Sequence, residues 1–395
     1  MRMSNFQPAL GQRLYATGRP IFSTDSFPRS SSPSDSYQKA KTEPERIRIF
    51  AAFAHVDWGN NNLQSALEEL GEVIRFRWDF HDQYTRDWHK SGKARMNQEM
   101  LETLLAAHRE KPIDVFFGCL SGRTVFPGFI RAINLLGIRT LNISLDDKDN
   151  FIGTLEATGH TGMIDIASAF SLNWTNREEA LSHYEAAGAR ILYLPIGANP
   201  QVYKPLETPH DIDVSFVGQC YGQRVEIIDE LMNRGIEVAT FGKGWPSGEI
   251  PLEETIRVYS RSRINLGFAT VADSHESFSL KERDLDVPMS GGLYFTQYHR
   301  ELGDVYEIGR EIVCYHSPED LAEKIKFYLS HPDKAEEVRL AGHRRAINEH
   351  TWSRRCRQAF RALGVSVPGC MPGISLLKTR KPRRVLLRAT ANERQ

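Results

Sequence analysis

The 395-residue sequence predicts an α/β protein built as two doubly wound domains in tandem. Three observations lead there. After Glu45, short apolar runs alternate with segments of helical spacing, joined by short links. The stretch "IGANPQVYKPLETPHD" holds three prolines, interrupts that alternation, and the alternation then restarts. The length also exceeds what one ordinary core accommodates.

The first half opens on "IRIFAAF", a compact strand, followed by "NNLQSALEELG", where Leu63, Leu67 and Leu70 share a helix face and Gly71 stands where a C-cap would. "EVIRFRW" reads as a strand, Met96 to Arg109 as a helix, "IDVFFGC" as a strand, "FPGFIRAINLLG" as a helix and "RTLNISL" as a strand. "FSLNW", the helix "NREEALSHYEAAG" and the strand "RILYLP" complete it. The second half repeats the rhythm: "DVSFVG", "IEVATFG", "RINLGF", "GGLYFTQ" and "EIVCYH" as strands, "QRVEIIDELMNRG" and "PLEETIRVYSRS" as helices between them. "SPEDLAEKIKFYLSH" is a helix with Ser317 as N-cap and Pro318 at its first position. Pro332 to His350 and "TWSRRCRQAFRALG" follow as helices. Strands alternating with helices imply parallel sheets covered on both faces.

Lys+Arg and Asp+Glu each number 50, so no overall field draws nucleic acid or an anionic membrane, and any anion site is local. No apolar run approaches a membrane span. The five cysteines, Cys119, Cys220, Cys314, Cys356 and Cys370, are scattered and never in CxxC spacing, which suits free thiols in a reducing, cytoplasmic setting. Residues 1–45 are Ser/Pro-rich without an apolar segment and read as a disordered leader; residues 367–395 read as a basic tail, solvated or in peripheral contact with an anionic surface.

Ligands of doubly wound sheets bind beyond the carboxyl ends of the strands, so the loops after strands are where chemistry is sought. After "DVSFVG", Gly218 and Gly222 allow close backbone approach and Arg224 sits at a helix start; the pattern fits a phosphate site or an ordinary turn with a solvent-facing arginine. "FGKGWPSG" has the wrong spacing for a dinucleotide fingerprint and reads as a turn or a loop beside a base. His275 and Glu276 follow "RINLGF" towards the cleft. In "SLKERDLDVPMSGG", a helix from about Leu280 to Gly291 places Lys281 in its first turn, against the dipole, unless an anion is held there. In the first half, His55 follows the first strand, and Asp147 follows the fourth as a base or as a helix cap; Asp147-Lys148-Asp149 is formally a DxD, a short pattern that recurs by chance, and no metal ligand set is assigned.

Taken in order, "LPIGANPQVYKP", "DVSFVG…R", "FGKGW", "SRINLGF", "LKERDLDVPMSGG" and the run from "EIVCYH" to "TWSRR" resemble the CgeB/YkvP-like glycosyltransferases, of the retaining-type GT-B group. The resemblance covers about Asp211 to Phe360 nearly completely and the first half more loosely. It implies two Rossmann-like domains: residues 46–205 for the acceptor, 206–350 for the nucleotide-sugar donor, and a crossover helix at 351–366 returning to the first. It implies Asp286, five residues before Gly291, on the donor ribose where the family carries Glu, and Lys281, Arg283, Arg224 and backbone near Gly218, Gly291 and Gly292 on the diphosphate. His55, Asp147 and His275 are the expected catalytic residues. No cofactor beyond the donor substrate is expected, and the partners are the donor and an acceptor of unknown class. The expected activity is metal-independent glycosyl transfer, with a sugar-nucleotide epimerase or hydrolase, or a non-catalytic binding protein, as alternatives.

Overall fold

The computed structural model describes residues 46–54, 59–77, 81–85, 87–145, 147–270, 278–367 and 378–380. His55, His275, Glu276, the leader and most of the basic tail lie outside the described residues.

Strands β1 (Ile47–Ala52), β2 (Gly71–Arg75), β3 (Val115–Gly118) and β4 (Arg139–Ser144) lead to a separate hairpin, β5 (Leu155–Glu156) with β6 (Gly159–His160), and then to β7 (Leu172–Thr175) and β8 (Ile191–Tyr193). The first sheet runs β2-β1-β3-β4-β7-β8, all parallel, and β14 (Lys378–Arg380) adds to β8 antiparallel, so these three tail residues form an edge strand rather than a solvated tail. All six residues of β1 are buried, as expected of a strand covered on both faces. Helices α1 (Ser65–Leu70), α2 (Lys93–Glu110), α3 (Pro127–Leu135), the one-turn α4 (Asp147–Asn150) and α5 (Leu181–Ala186) supply the connections.

The second sheet holds β9 (Ile212–Val217), β10 (Ala239–Phe241), β11 (Ser262–Gly267), β12 (Tyr294–Gln297) and β13 (Val313–Tyr315), all parallel, in the order β10-β9-β11-β12-β13. Around it lie α6 (Gln223–Asn233), α7 (Leu252–Arg261), α8 (Arg283–Met289), α9 (Pro318–Ser330) and α10 (Pro332–Glu349). Both sheets place their first two strands in reverse order, which creates a switch point: β1/β3 in one, β9/β11 in the other. Ser317 caps α9 as expected, its hydroxyl accepting from the Asp320 N–H at 3.2 Å.

The chain then returns. Helix α11 (Trp352–Leu363) is capped by the Thr351 hydroxyl and ended by Gly364, whose φ of 84° is left-handed. Although it follows the whole second half in sequence, it packs on the first sheet. Phe360 meets Phe117 edge-on at 6.3 Å between ring centroids, and Trp352 lies 5.9 Å from Trp174. One buried cluster therefore joins β1, β3 and β4 to α11 and to the underside of the second half at Leu285 and Val287.

Gly71 caps α1 as expected, its N–H donating to the Leu67 carbonyl, but in an extended conformation at φ −163°; it also begins β2, where a Cβ would stand 2.2 Å from the Ile47 carbonyl oxygen. One local expectation is corrected. Lys281 is not in the first turn of a helix. Helix α8 starts at Arg283, and the Lys281 N–H instead donates to the Asp284 carboxylate at 2.6 Å.

Candidate functional site

A cavity of about 520 Å³ lies between the two halves. Its second-half wall carries Lys281, Arg283 and Asp286, while Asn176, Arg177 and Tyr203 line it from the first half and the crossing segment. Its first-half lining follows β4, β7 and β8 at their carboxyl ends, where ligands of such sheets bind.

The cations are positioned from β9. Arg283 donates from Nε to the Val217 carbonyl at 2.6 Å, and Gly218 leaves room for it: a Cβ there would stand 2.7 Å from Nη2. Arg224, on the first turn of α6, is buried; it lies over the Tyr221 ring at 4.0 Å and donates from Nη1 to the Gln219 carbonyl at 2.8 Å. Arg283 and Arg224 flank Phe216, at 5.1 and 5.5 Å from its ring. Arg224 Nε and Arg283 Nη1 are buried with no hydrogen-bond partner. A buried donor left unmatched costs about 1–3 kcal/mol; for Arg283, which lines the cavity, an acceptor there would recover it, whereas Arg224 is not among the lining residues. Burial, followed by the charges of Arg177, Arg224 and Arg283, pushes the Lys281 ammonium down to about 8, with Asp284 opposing them.

The acid beside them is not a free carboxylate. Asp286 is 7% exposed, and burial, reinforced by Glu282 and Asp284, raises its pKa well above the ordinary carboxylate range; a hydrogen bond from Tyr203 and the charge of Arg283 act the other way. Burial thus disfavours the charged carboxylate at Asp286. The Tyr203 hydroxyl, from the proline-rich crossing segment, reaches it from the opposite wall.

The glycines serve packing, a second correction. The N–H groups of Gly291 and Gly292 bond to the carbonyls of Pro288 and Val287 and close α8; neither residue lines the cavity. Gly291 has a φ of 73°, and its would-be Cβ meets Pro205 at 2.9 Å, so the corner fits against the crossing segment. The Gly218 N–H is likewise engaged, by the Phe241 carbonyl at 2.8 Å. These backbone groups are thus committed within the protein and do not face a diphosphate. "FGKGWPSG" is a turn whose Trp245 indole donates to the Gly218 carbonyl at 2.8 Å, bracing the same loop.

A second cavity, also about 520 Å³, lies at the carboxyl ends of β3 and β4, and Leu145 lines both. Asp147 lines this one. It is 1% exposed, and its carboxylate accepts from the Thr175 hydroxyl at 2.9 Å and the Tyr184 hydroxyl at 2.8 Å. Burial raises its pKa to about 6 despite those bonds. The DxD is a single helical turn in which Asp149 is exposed and Lys148 pairs with Glu179 at 3.0 Å. Among the described residues, no group of three His, Cys, Asp or Glu side chains is placed to hold a metal ion.

Sequence reading missed Arg177, Asn176 and Tyr203. Asn176 and Arg177 were absorbed into a helix expected to start at Asn176, whereas the chain first makes a turn at the end of β7 and helical structure begins at Glu178. Their position directly after a strand was the available signal.

Residues 223–361 match the profile of a family described as glycosyl transferase-like. Spore protein CgeB of Bacillus subtilis (strain 168) is 21% identical over 205 residues, 45% of this chain and 63% of CgeB, so the match spans less than two thirds of that relative. Among solved structures, a glycosyltransferase from Rickettsia africae superposes with a TM-score of 0.54 at 11% identity, over 80% of this chain and 98% of the other. Anabaena HepE in complex with UDP-glucose gives 0.53 at 10% identity, over 80% and 99%. Sucrose-phosphate synthase from Thermosynechococcus elongatus gives 0.52 at 12% identity, over 81% and 99%. At these identities the likeness shows the fold: two Rossmann-like halves in the GT-B arrangement, with the helix that crosses back.

Proposed function

We propose that this protein, whose residues 223–361 match a glycosyl transferase-like profile within a GT-B fold, transfers a sugar from a nucleoside diphosphate sugar to an acceptor hydroxyl. The observation that carries the reading is the pair Lys281 and Arg283 on the cavity wall, with Arg224 behind them close enough for its charge to act on both, and two buried guanidinium nitrogens, Arg224 Nε and Arg283 Nη1, that lack partners. Cations preorganised in a partly dry cavity stabilise charge where it develops. Here that charge is on the departing diphosphate.

The bond from the anomeric carbon to the diphosphate oxygen breaks, and its electron pair leaves with the diphosphate as the sugar passes through an oxocarbenium-like state. Asp286, with Tyr203, is assigned to the ribose: the paired side chains offer both a donor and an acceptor, which suits a diol. The acceptor occupies the cavity over β3 and β4, and its hydroxyl proton passes to Asp147, ionised above about pH 6. The donor role falls to residues 206–350 and the acceptor role to 46–205. Cys220, Cys314 and Cys356 are free thiols, in keeping with a cytoplasmic reaction, and no described helix is long and apolar enough to cross a membrane.

The test is a panel of UDP-, GDP-, ADP- and TDP-sugars incubated with the protein, with and without sugar and polyol acceptors, scored for released diphosphate. Release that depends on acceptor is expected. Release or interconversion without acceptor would identify a hydrolase or epimerase, and binding without turnover a binding module; either result overturns the reading.

Lys281→Ala is expected to weaken nucleoside diphosphate binding about 10- to 100-fold, the loss of one charged hydrogen bond. The sign of its pH dependence follows from an ammonium that titrates near 8. Affinity of the unsubstituted protein should fall as pH rises through 8, because the free site loses its proton there, and binding at that pH should take up protons from buffer. Calorimetry in two buffers of different ionisation enthalpy measures both. Affinity that stays flat from pH 7 to 9 would remove Lys281 from the site.

A further inference from the structure

The first-half wall of the donor cavity carries a charge that the reaction above leaves unassigned. Arg177 stands two residues beyond β7, and its guanidinium lines the cavity across from Lys281. Its Nη1 lies 3.5 Å from the carbonyl oxygen of Leu280, the residue before Lys281, so its tip reaches the second-half loop. Its field is felt on both sides: it helps depress the Lys281 ammonium and helps hold the Asp147 carboxyl down against burial. The backbone links it to the acceptor side too. The Arg177 N–H donates to the Thr175 hydroxyl oxygen at 3.0 Å, and that hydroxyl donates to Asp147 at 2.9 Å.

Facing Lys281 across a shared cavity, the half-buried Arg177 adds a third cation to a lining that holds Lys281 and Arg283 beside the acids Glu282 and Asp286. Unit charges of like sign near a protein surface repel by several kcal/mol at about 4 Å. An anion held between the two walls turns that repulsion into attraction on both sides. Two walls contributed by different halves also mean that the anion draws the halves together.

Resting on the glycosyl transfer reading, we propose that Arg177 is a catalytic residue of the first half that grips the donor diphosphate opposite Lys281 and Arg283, and so couples leaving-group stabilisation to the acceptor side. As the sugar–oxygen bond breaks, negative charge grows on the diphosphate between the two walls. Arg177 meets it from the side on which the acceptor hydroxyl hands its proton to Asp147.

The experiment titrates UDP, GDP, ADP and TDP into the full chain and into Arg177→Gln and Arg177→Lys, with the corresponding nucleosides as controls. For the diphosphate that binds, Arg177→Gln is expected to lose about tenfold or more in affinity, while nucleoside affinity stays within about twofold, and Arg177→Lys is expected to recover most of the loss. The Kd of the unsubstituted protein should also rise more steeply with salt than that of Arg177→Gln. Equal diphosphate affinity and equal salt dependence in Arg177→Gln and the unsubstituted protein would overturn the proposal while leaving the donor site of the second half intact. Equal losses for diphosphate and nucleoside would also overturn it, since they would mark a structural role. Failure of the unsubstituted protein to bind any of the four diphosphates would overturn both this proposal and the reading it rests on. Should Arg177→Gln fold poorly, Arg177→Lys and the salt dependence of the unsubstituted protein still decide: a salt-independent Kd overturns the proposal.

Discussion

Replacing Asp147 by Asn is expected to slow sugar transfer by about 100- to 10,000-fold, the range for a positioned general base, while making the protein more stable. The two effects have one origin. Asp147 is buried, and its pKa rises from 3.8 to about 6, so above pH 6 the fold carries an ionised group it would rather hold neutral. A rise of that size corresponds to a penalty on the order of 3 kcal/mol. The sign follows from proton binding. Between the unfolded and folded values the native state holds more protons, so stability falls as pH rises from about 4 to about 6 and stays lowered above it. Asn removes the ionisation but keeps a side chain that can bond to the Thr175 and Tyr184 hydroxyls. Denaturant unfolding at pH 7.5 should therefore show a gain of up to about 3 kcal/mol that disappears near pH 4. The rate of the unsubstituted enzyme should fall on the acid side with a midpoint near 6, and the residual rate of Asp147→Asn should lack that limb. A structural carboxylate predicts the opposite pair: lost stability and an unchanged pH profile. Stability that drops together with an intact rate would retire Asp147 as the base.

The contrast between what was legible and what was not follows the range of the forces involved. Alternating apolar runs marked every strand of both parallel sheets up to β13, because strands buried on both faces must be apolar almost throughout; β1 shows it, with all six residues buried. The cap at Ser317 was legible for a similar reason, since its partner Asp320 is three residues away. The strand Lys378–Arg380 carries no such pattern, being short, basic and at a sheet edge, and its pairing with β8 was not legible. In the site, Lys281, Arg283 and Asp286 were reachable because one loop and one short helix bring them together. Arg177 and Tyr203 belong to other segments and meet that loop only across the cavity, so no spacing in the sequence relates them. The double glycine shows the reverse error: residues able to approach a ligand closely were read as doing so, whereas Gly291 makes its close approach to Pro205 and its N–H closes the helix.

Phe360→Ala is expected to destabilise the protein by about 3–5 kcal/mol, the usual loss for deleting a buried aromatic ring. Phe360 has no exposed surface, and its ring fills the space between α11 and β3 against Phe117. The position matters beyond its volume. Helix α11 is the last described helix of the chain but belongs to the core of the first half, so its docking closes a loop through the entire second half. At the start of the same helix, Thr351 pairs with the crossing segment at Ala198, and the buried Arg355 donates to the Ile196 carbonyl at 3.3 Å and the His350 ring at 2.8 Å. His350 in turn lies 2.8 Å from the Val305 carbonyl of the second half. Loosening the helix at Phe360 thus weakens the element that fixes one half against the other, rather than either sheet alone. Equilibrium unfolding in urea should show a lower midpoint, and a transition that broadens or splits as the halves lose their common helix. Diphosphate affinity measured without urea should fall by no more than it does in Arg177→Gln, because the bonds that hold Arg283 and Arg224 lie at the end of β9, whereas Arg177 faces them from the half that α11 holds. Phe360→Leu, which keeps much of the volume, should recover more than half of the stability. A loss below about 1 kcal/mol in Phe360→Ala would mean that the returning helix is not docked on the first sheet in solution, and the coupling of the two halves would then have to come from the crossing segment alone.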